Sequence, residues 1–235
     1  MCDHCGCGHP GQPLHHGESS TVVPVGEDVL AHERAHAESL RQRIAGLDAR
    51  LINVIGGPGC GKTELLSVLI RELGGTPPCA VVEGDLATDN DARRIAETGA
   101  PVHQVTTGTV CHLTAHDVDH ALDHLSVARG TLVLVENVGN LVCPSVFDLG
   151  ESLRVVCLSV TEGTDKPLKY PVAFREAGLV VITKSDLLPH VDFDVDAARQ
   201  MIDDLDPGTP VLLTSAGDGA GVDELAGHVR RLWDG

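Results

Sequence analysis

The sequence predicts an α/β fold, with a mainly parallel sheet covered by helices on both faces and a phosphate-binding loop between a strand and a helix. Three observations predict it. Short continuous runs of Val, Leu and Ile recur along the chain and alternate with helical stretches, the pattern of parallel strands buried on both faces. Residues 56–63 read Gly-Gly-Pro-Gly-Cys-Gly-Lys-Thr, which fits G-x-x-x-x-G-K-S/T at every fixed position. That loop also sits where its chemistry needs it, between an apolar run at 51–55 and a helical pattern at 64–73.

The elements follow in order. Residues 1–26 are rich in Gly, Pro, Ser, His and Cys with almost no apolar periodicity, and predict a flexible, metal-binding tail. The remainder, 27–235, predicts one nucleotide-binding domain opened by a helix. That helix, 27–47, has a thin apolar stripe suited to a lever or docking arm. Strand 51–55 and helix 64–73 flank the phosphate loop. Strand 79–83 is followed by a helix at 89–98. Strand 102–105 is followed by a helix at 115–125, with Cys111 and His112 expected at that helix's start. Further strands are expected at 131–136, 155–160, 179–183 and 211–213, with helices at 195–205 and 222–233.

Bulk composition narrows the function. No apolar run approaches the roughly 18–20 residues that span a bilayer. The N-terminus has no basic segment followed by an apolar core, so a cytoplasmic protein is expected. The net charge is −17, from 34 acidic and 17 basic residues, with only four lysines. Nucleic-acid and membrane partners are not expected of such a surface. In a reducing compartment the eight cysteines point to burial, metal or catalysis before disulfides.

Gly56, Gly57, Pro58, Gly59, Cys60, Gly61, Lys62, Thr63 and Glu64 are the candidate phosphate-binding residues. Glycines let backbone N–H groups turn inward around the α- and β-phosphates. Lys62 brings a positive charge to the β/γ-phosphates, and the Thr63 hydroxyl can ligate Mg²⁺. Asp85 and Glu136 follow strands, where α/β ligand crevices lie, and their oxygens suit a hard cation or a positioned water. Lys62, Asp85 and Glu136 are therefore the catalytic candidates, and the Gly139 N–H can track the γ-phosphate.

The stretch Thr183-Lys184-Ser185-Asp186 looks like the guanine-reading loop Asn-Lys-x-Asp. In such a loop the Asp accepts hydrogen bonds from guanine N1–H and the 2-amino group, which adenine cannot offer, and the Lys stem covers the base. Thr183 replaces the Asn, which removes one supporting hydrogen bond from the pattern. Ser215 and Ala216 resemble the second base-backing loop, with Gly217 where a Lys is expected.

Cys2, Cys5 and Cys7, with His4 and His9 interleaved, can wrap one soft or borderline metal ion. A square-planar thiolate set suits Ni²⁺, while Zn²⁺ and Cu⁺ take the same donors. Cys111-His112 and Cys143 both follow strand ends, but by pattern alone buried cysteines and a helix-start histidine are the commoner explanation. Cys79 and Cys157 lie on apolar strands. His116, His120 and His124 recur every four residues, which predicts a solvated or interface face before a metal site.

With these residues in order, the chain closely resembles the HypB family, the nickel-incorporation GTPases of nickel–iron hydrogenase maturation. The strings that carry the resemblance are Cys-x-x-Cys-x-Cys at the start, Glu83-Gly84-Asp85, Cys111-His112-Leu113, the run from Glu136 to Pro144, and the run from Ser159 to Pro171. The resemblance covers nearly the whole chain. It implies a dimerising P-loop NTPase of the SIMIBI type, which includes the signal-recognition GTPases. It further implies that Cys111, His112 and Cys143 are ligands of a metal site shared across a nucleotide-linked homodimer, holding Ni²⁺ or Zn²⁺. Cys2, Cys5 and Cys7 correspond to the family's N-terminal nickel site.

The implied function is a slow GTPase, with no cis arginine finger evident, in which Mg²⁺·GTP and its hydrolysis to GDP control Ni²⁺ delivery. Its partners are a nickel-accessory protein of the HypA type and the hydrogenase large subunit. The alternatives are a urease-type nickel accessory GTPase, which lacks the N-terminal thiols and the run to Pro144, and a non-enzymatic nickel or zinc buffer.

Overall fold

The computed structural model describes residues 25–85 and 89–234. The tail cysteines Cys2, Cys5 and Cys7 lie outside the described residues. A seven-stranded sheet forms the body, with all pairings parallel and strand order β3-β2-β4-β1-β5-β6-β7. The strands are β1 (Arg50–Gly56), β2 (Cys79–Asp85), β3 (Val102–Thr106), β4 (Leu132–Glu136), β5 (Leu153–Ser159), β6 (Leu179–Thr183) and β7 (Val211–Leu213). The longer helices are α1 (Val25–Gly46), α2 (Lys62–Leu73), α3 (Asn90–Ala96), α4 (Ala115–Leu125), α8 (Val195–Leu205) and α9 (Val222–Asp234).

Alternate residues of each strand feed opposite faces, as the pleat requires. Ile52 and Leu134 pack with α2 and α9 side chains such as Leu66 and Leu225. Leu51 and Val133 pack on the other face with Leu40 of α1 and Leu122 of α4. Ile55, Val156 and Ile182 form a third cluster with Phe174 and Ile202. Burying both faces explains why the strands read as unbroken apolar runs.

Two expectations change. The first helix is no free lever: Ala37, Leu40 and Ile44 are fully buried against α4 and β1. Three apolar residues on one face suffice because Arg43 reinforces the contact, donating to Asp119 and Asp123 of α4 at 2.6 and 2.7 Å. Cys111 and His112 do not start a helix either. They lie in the loop before Thr114, which caps α4 by a capping box with Asp117. The short helices α5 (Cys143–Val146), α6 (Lys166–Lys169) and α7 (Pro171–Arg175), and a 3₁₀ turn at Ser185–His190, escape sequence reading because none is long enough to show a period.

Candidate nucleotide and metal sites

Strand β1 lies between β4 and β5, and the connections on its two sides diverge there, the place where open α/β sheets bind ligands. The phosphate loop leaves β1 at this point. Gly59 and Gly61 hold φ of 71° and 96°, a region that disfavours side chains. A Cβ on Gly56 would stand 2.6 Å from Cys60 Sγ and 2.9 Å from the Cys157 carbonyl, so the loop closes only with glycine there. Gly61 precedes α2 directly, which aims that helix's N-terminus into the cradle. Lys62 is buried, and its ammonium donates to the Gly56 carbonyl at 3.3 Å. Pro58, Gly59 and Glu64 line the same crevice, and Gly139 packs with its Cα side against Pro58. Cys60 is fully buried against Cys157, so its backbone, and not its thiol, faces the ligand side.

A cluster of carboxylates closes the far wall. Thr63 Oγ1 donates to Glu136 Oε1 at 2.8 Å. Glu83 and Glu136 are register partners on β2 and β4, and each keeps a buried Oε2 with no hydrogen-bond partner. Burial pushes the Glu83 carboxyl up to about 8, helped by the charges of Glu136, Asp85 and Asp91. Burial likewise pushes Glu136 up to about 7, against the pull of Lys62 and the Thr63 hydrogen bond. Two buried acids side by side with unsatisfied oxygens are costly unless they share a proton or face a cation. The donor set is all oxygen, which fits a hard divalent ion. Ligand oxygens of Glu83, Asp85 and Asp91 lie within 4.8 Å of one another.

The crevice also contains residues that motif reading left without a role. Glu83 had a signal, being a charge inside an apolar strand two residues before Asp85. Arg94 of α3 lines the crevice with ion pairs to Glu64 at 3.3 Å and Asp91 at 3.8 Å. An arginine is thus at hand in cis, occupied by acids, and nothing in its surrounding sequence announced it.

The base slot adjoins the cradle, sharing Gly61 and Glu64 with it and lined by Lys184, Asp186, Ala216 and Gly217. Ser215 Oγ donates to Asp186 Oδ1 at 2.8 Å and orients the carboxylate. Thr183 supplies the supporting bond that the missing Asn put in doubt: its hydroxyl donates to the Cys60 carbonyl at 2.6 Å. Lys184 donates to the Gly59 carbonyl at 2.6 Å. Both ties run between the base loop and the phosphate loop. A Cβ on Gly217 would come no closer than ordinary contact to Ser215 and Asp186, so the space there does not by itself require glycine.

Cys111, His112 and Cys143 meet within one chain, with ligand atoms mutually within 4.8 Å. The two sulfurs are 2.6 Å apart, and Cys111 Sγ is 4.0 Å from His112 Nδ1. Burial lowers the affinity of His112 for protons, which favours the neutral, ligating imidazole. Its ring stacks on Phe147 at 4.1 Å, which fixes its plane. Three soft or borderline donors on a half-exposed surface leave one side open for a further ligand.

A buried asparagine joins the two sites. Asn137 follows Glu136 directly, and its Oδ1 accepts from the Leu113 and Val138 backbone N–H groups, both at 3.0 Å. Its amide donates to Asn53 Oδ1 at 3.2 Å. Leu113, next to His112, also fills the space above Gly84, where a Cβ would come within 2.8 Å of it. The Cys111–His112 loop is therefore pinned to both carboxylate-bearing strands, a link that needs tertiary contact to be seen.

Fold, phosphate loop and Lys-x-Asp base slot define a P-loop GTPase. A family model for the CobW/HypB/UreG nucleotide-binding domain matches residues 50–213. The hydrogenase maturation factor HypB of Azotobacter vinelandii is 46% identical over 212 residues, covering 90% of this chain and 70% of that protein. The crystal structure of HypB from Helicobacter pylori in complex with nickel superposes with a TM-score of 0.83 at 34% identity, over 86% of this chain and 95% of that one. HypB from Archaeoglobus fulgidus gives a TM-score of 0.81 at 35% identity, over 87% and 100%. The chain belongs to the HypB family of hydrogenase maturation factors.

Proposed function

We propose that this GTPase times the transfer of Ni²⁺ held by Cys111, His112 and Cys143 to a partner during nickel–iron hydrogenase maturation. The single observation that carries this reading is the Asn137 bridge between the Glu136 strand end and the Cys111–His112 loop. The nickel-bound Helicobacter relative supports the identity of the cargo. Zn²⁺ accepts the same thiolate and imidazole donors and competes for the trio.

The nucleotide lies with its phosphates in the cradle and its guanine against Asp186, whose carboxylate accepts from N1–H and the 2-amino group. Lys62 and the backbone N–H groups offset the phosphate charge. Thr63 and Asp85 would hold Mg²⁺, with the unpaired Glu83 and Glu136 oxygens behind them. The ion would supply positive charge to the β- and γ-phosphates there. Asp85 and Glu136 orient the attacking water, and catalysis rests on positioning and charge. Arg94 stays engaged with Glu64 and Asp91, consistent with slow turnover.

The third side of the trio faces a second copy of the chain in the GTP state. Val142 and Val146, 56% and 57% exposed, flank Cys143 and supply apolar surface for such a homodimer. The nickel then passes to an accessory protein of the HypA type or to the hydrogenase large subunit, in the cytoplasm. Among the described residues no helix is long and apolar enough to cross a membrane. The N-terminal Cys2, Cys5 and Cys7 form a separate, tail-borne nickel site.

The test loads the chain with ⁶³Ni²⁺ and follows transfer to a competing chelator with GTP and with a non-hydrolysable analogue. Faster transfer with GTP, abolished in Cys143→Ala, is expected. Equal transfer with both nucleotides overturns the coupling.

A further inference from the structure

Asn53 interrupts the apolar run of β1 and is fully buried, three residues before Gly56 opens the phosphate loop. A buried amide in a core strand is costly unless its groups are paired. Asn53 Oδ1 accepts from Asn137 at 3.2 Å, and its Nδ2 donates to Glu151 Oε1 at 3.3 Å. Glu151 Oε1 also accepts from Arg154 Nε at 2.8 Å, and its Oε2 accepts from the Leu149 N–H at 2.8 Å. The side chains of Glu151 and Arg154 are 6% and 10% exposed, so theirs is no solvated surface pair. None of Asn53, Glu151 and Arg154 lines the nucleotide crevice.

The arginine ends this chain of hydrogen bonds on the other half of the metal site. Its two terminal nitrogens donate to the Ser145 carbonyl at 3.0 Å and the Phe147 carbonyl at 3.4 Å. Ser145 belongs to the single-turn helix α5, whose first residue is Cys143, and Phe147 is the residue after it. A single turn leaves its last carbonyls without helical partners, and the guanidinium takes two of them. The Phe147 ring is the one stacked on His112 at 4.1 Å. At the opposite end, Asn137 holds the loop of Cys111 and His112 through the Leu113 N–H. One buried polar line therefore holds both segments of the trio and passes through the strand that feeds the phosphate loop. An acid and two carbonyls need the planar fork of a guanidinium, which an ammonium cannot replace.

We propose that Glu151 and Arg154 are positioning residues of the metal site, fixing the Cys143 segment and setting Phe147 against His112. The inference rests on the reading of Cys111, His112 and Cys143 as a Ni²⁺ site, and not on GTP-timed transfer. Neither residue touches the ion. They limit how far the Cys143 segment moves from the Cys111–His112 loop when no ion is bound, so the donors meet the ion already placed. Groups behind the ligands tighten metal binding in this way, by ordering the donors before the ion arrives.

The test uses the full chain with C2S, C5S and C7S as the parent, so that tail thiols do not compete. NiCl₂ binding is followed by equilibrium dialysis and by the sulfur-to-nickel charge-transfer absorption, with C143A as the baseline. R154K keeps a positive charge beside Glu151 but cannot also reach both carbonyls. It is expected to weaken Ni²⁺ binding about tenfold or more and to shift the absorption of the loaded chain. Lost stability alone lowers the melting temperature without moving that absorption. F147L leaves the buried pair intact and removes the ring that faces His112. It is expected to act in the same direction, and it decides the matter if R154K does not fold. Parent-like affinity and absorption in the deciding variant overturn the proposal. If C143A binds Ni²⁺ as the parent does, the reading of the trio fails first, and this inference fails with it.

Discussion

The carboxylate crevice and the thiol trio stand on neighbouring segments yet are built by opposite means. Glu83, Asp85 and Glu136 end parallel strands and are positioned by the sheet, with Glu83 and Glu136 held in register. Cys111, His112 and Cys143 lie on loops and a single-turn helix beyond those strand ends, half-buried and without ladder support. The first region is rigid, buried and all oxygen, while the second is open and made of sulfur and nitrogen. Burial raises the energy of the charged carboxylates until a cation arrives. Exposure leaves the thiol site free to exchange its ion. Asn137 is where the strand-borne region can bias the loop-borne one, because its side chain holds the loop backbone at Leu113.

The largest effect separates the two regions outright. Lys62→Ala is expected to lower GTP hydrolysis by roughly 10²-fold or more, since it removes the buried charge facing the phosphates. Ni²⁺ stoichiometry at the trio, measured by dialysis, stays unchanged. Loss of that metal along with hydrolysis would mean the regions are one site.

Asn137→Ala attacks the bridge. It leaves the Leu113 and Val138 N–H groups and the Asn53 Oδ1 without their buried partner, a cost of about 2–3 kcal/mol in denaturant unfolding. The sharper readout is linkage: the Ni²⁺ affinity difference between GDP and a GTP analogue should vanish. A retained difference at reduced stability makes Asn137 a structural residue only.

Protonation distinguishes the regions at constant sequence. Glu83 and Glu136 have carboxyls raised to about 8 and about 7. Their folded-state values exceed the unfolded ones, so the folded chain binds protons more tightly and loses stability as pH rises from about 5 to 8. A cation bound beside them favours the carboxylates, so Mg²⁺·GTP binding should release protons in that window. Calorimetry in buffers of different ionisation enthalpy reads the release, and Glu83→Gln should reduce it.

The smallest effect lies at the base slot. Thr183→Val removes the hydroxyl bond to Cys60 and leaves its carbonyl unpaired, for about 1–2 kcal/mol in GDP affinity or stability. Unchanged affinity for both nucleotide and denaturant midpoint means that Lys184 alone ties the base loop to the cradle.

Much of this was legible in the residues. All seven strands were anticipated, the inner ones because strands buried on both faces read as apolar runs, and α4, β6, α8 and β7 fall at the expected bounds. The phosphate loop and Asp186 were legible because their chemistry fixes residue types at fixed spacings. The role of α1 was misread because its stripe is thin and its partner, Asp119 on α4, is remote in sequence. Arg94 had no local signal because it reaches the crevice only once α3 packs beside it.

By itself, the sequence determined the strand set, the cradle, the base-reading carboxylate and the metal-binding residue types, since each is encoded by local composition and short spacing. Only the tertiary structure decided which of these meet. It set Glu83 opposite Glu136, brought Cys111 to Cys143 across 32 positions, and joined Asn137, next to Glu136, to the Leu113 backbone. Such contacts arise from strand order and loop packing, which depend on the whole sheet and have no local signature.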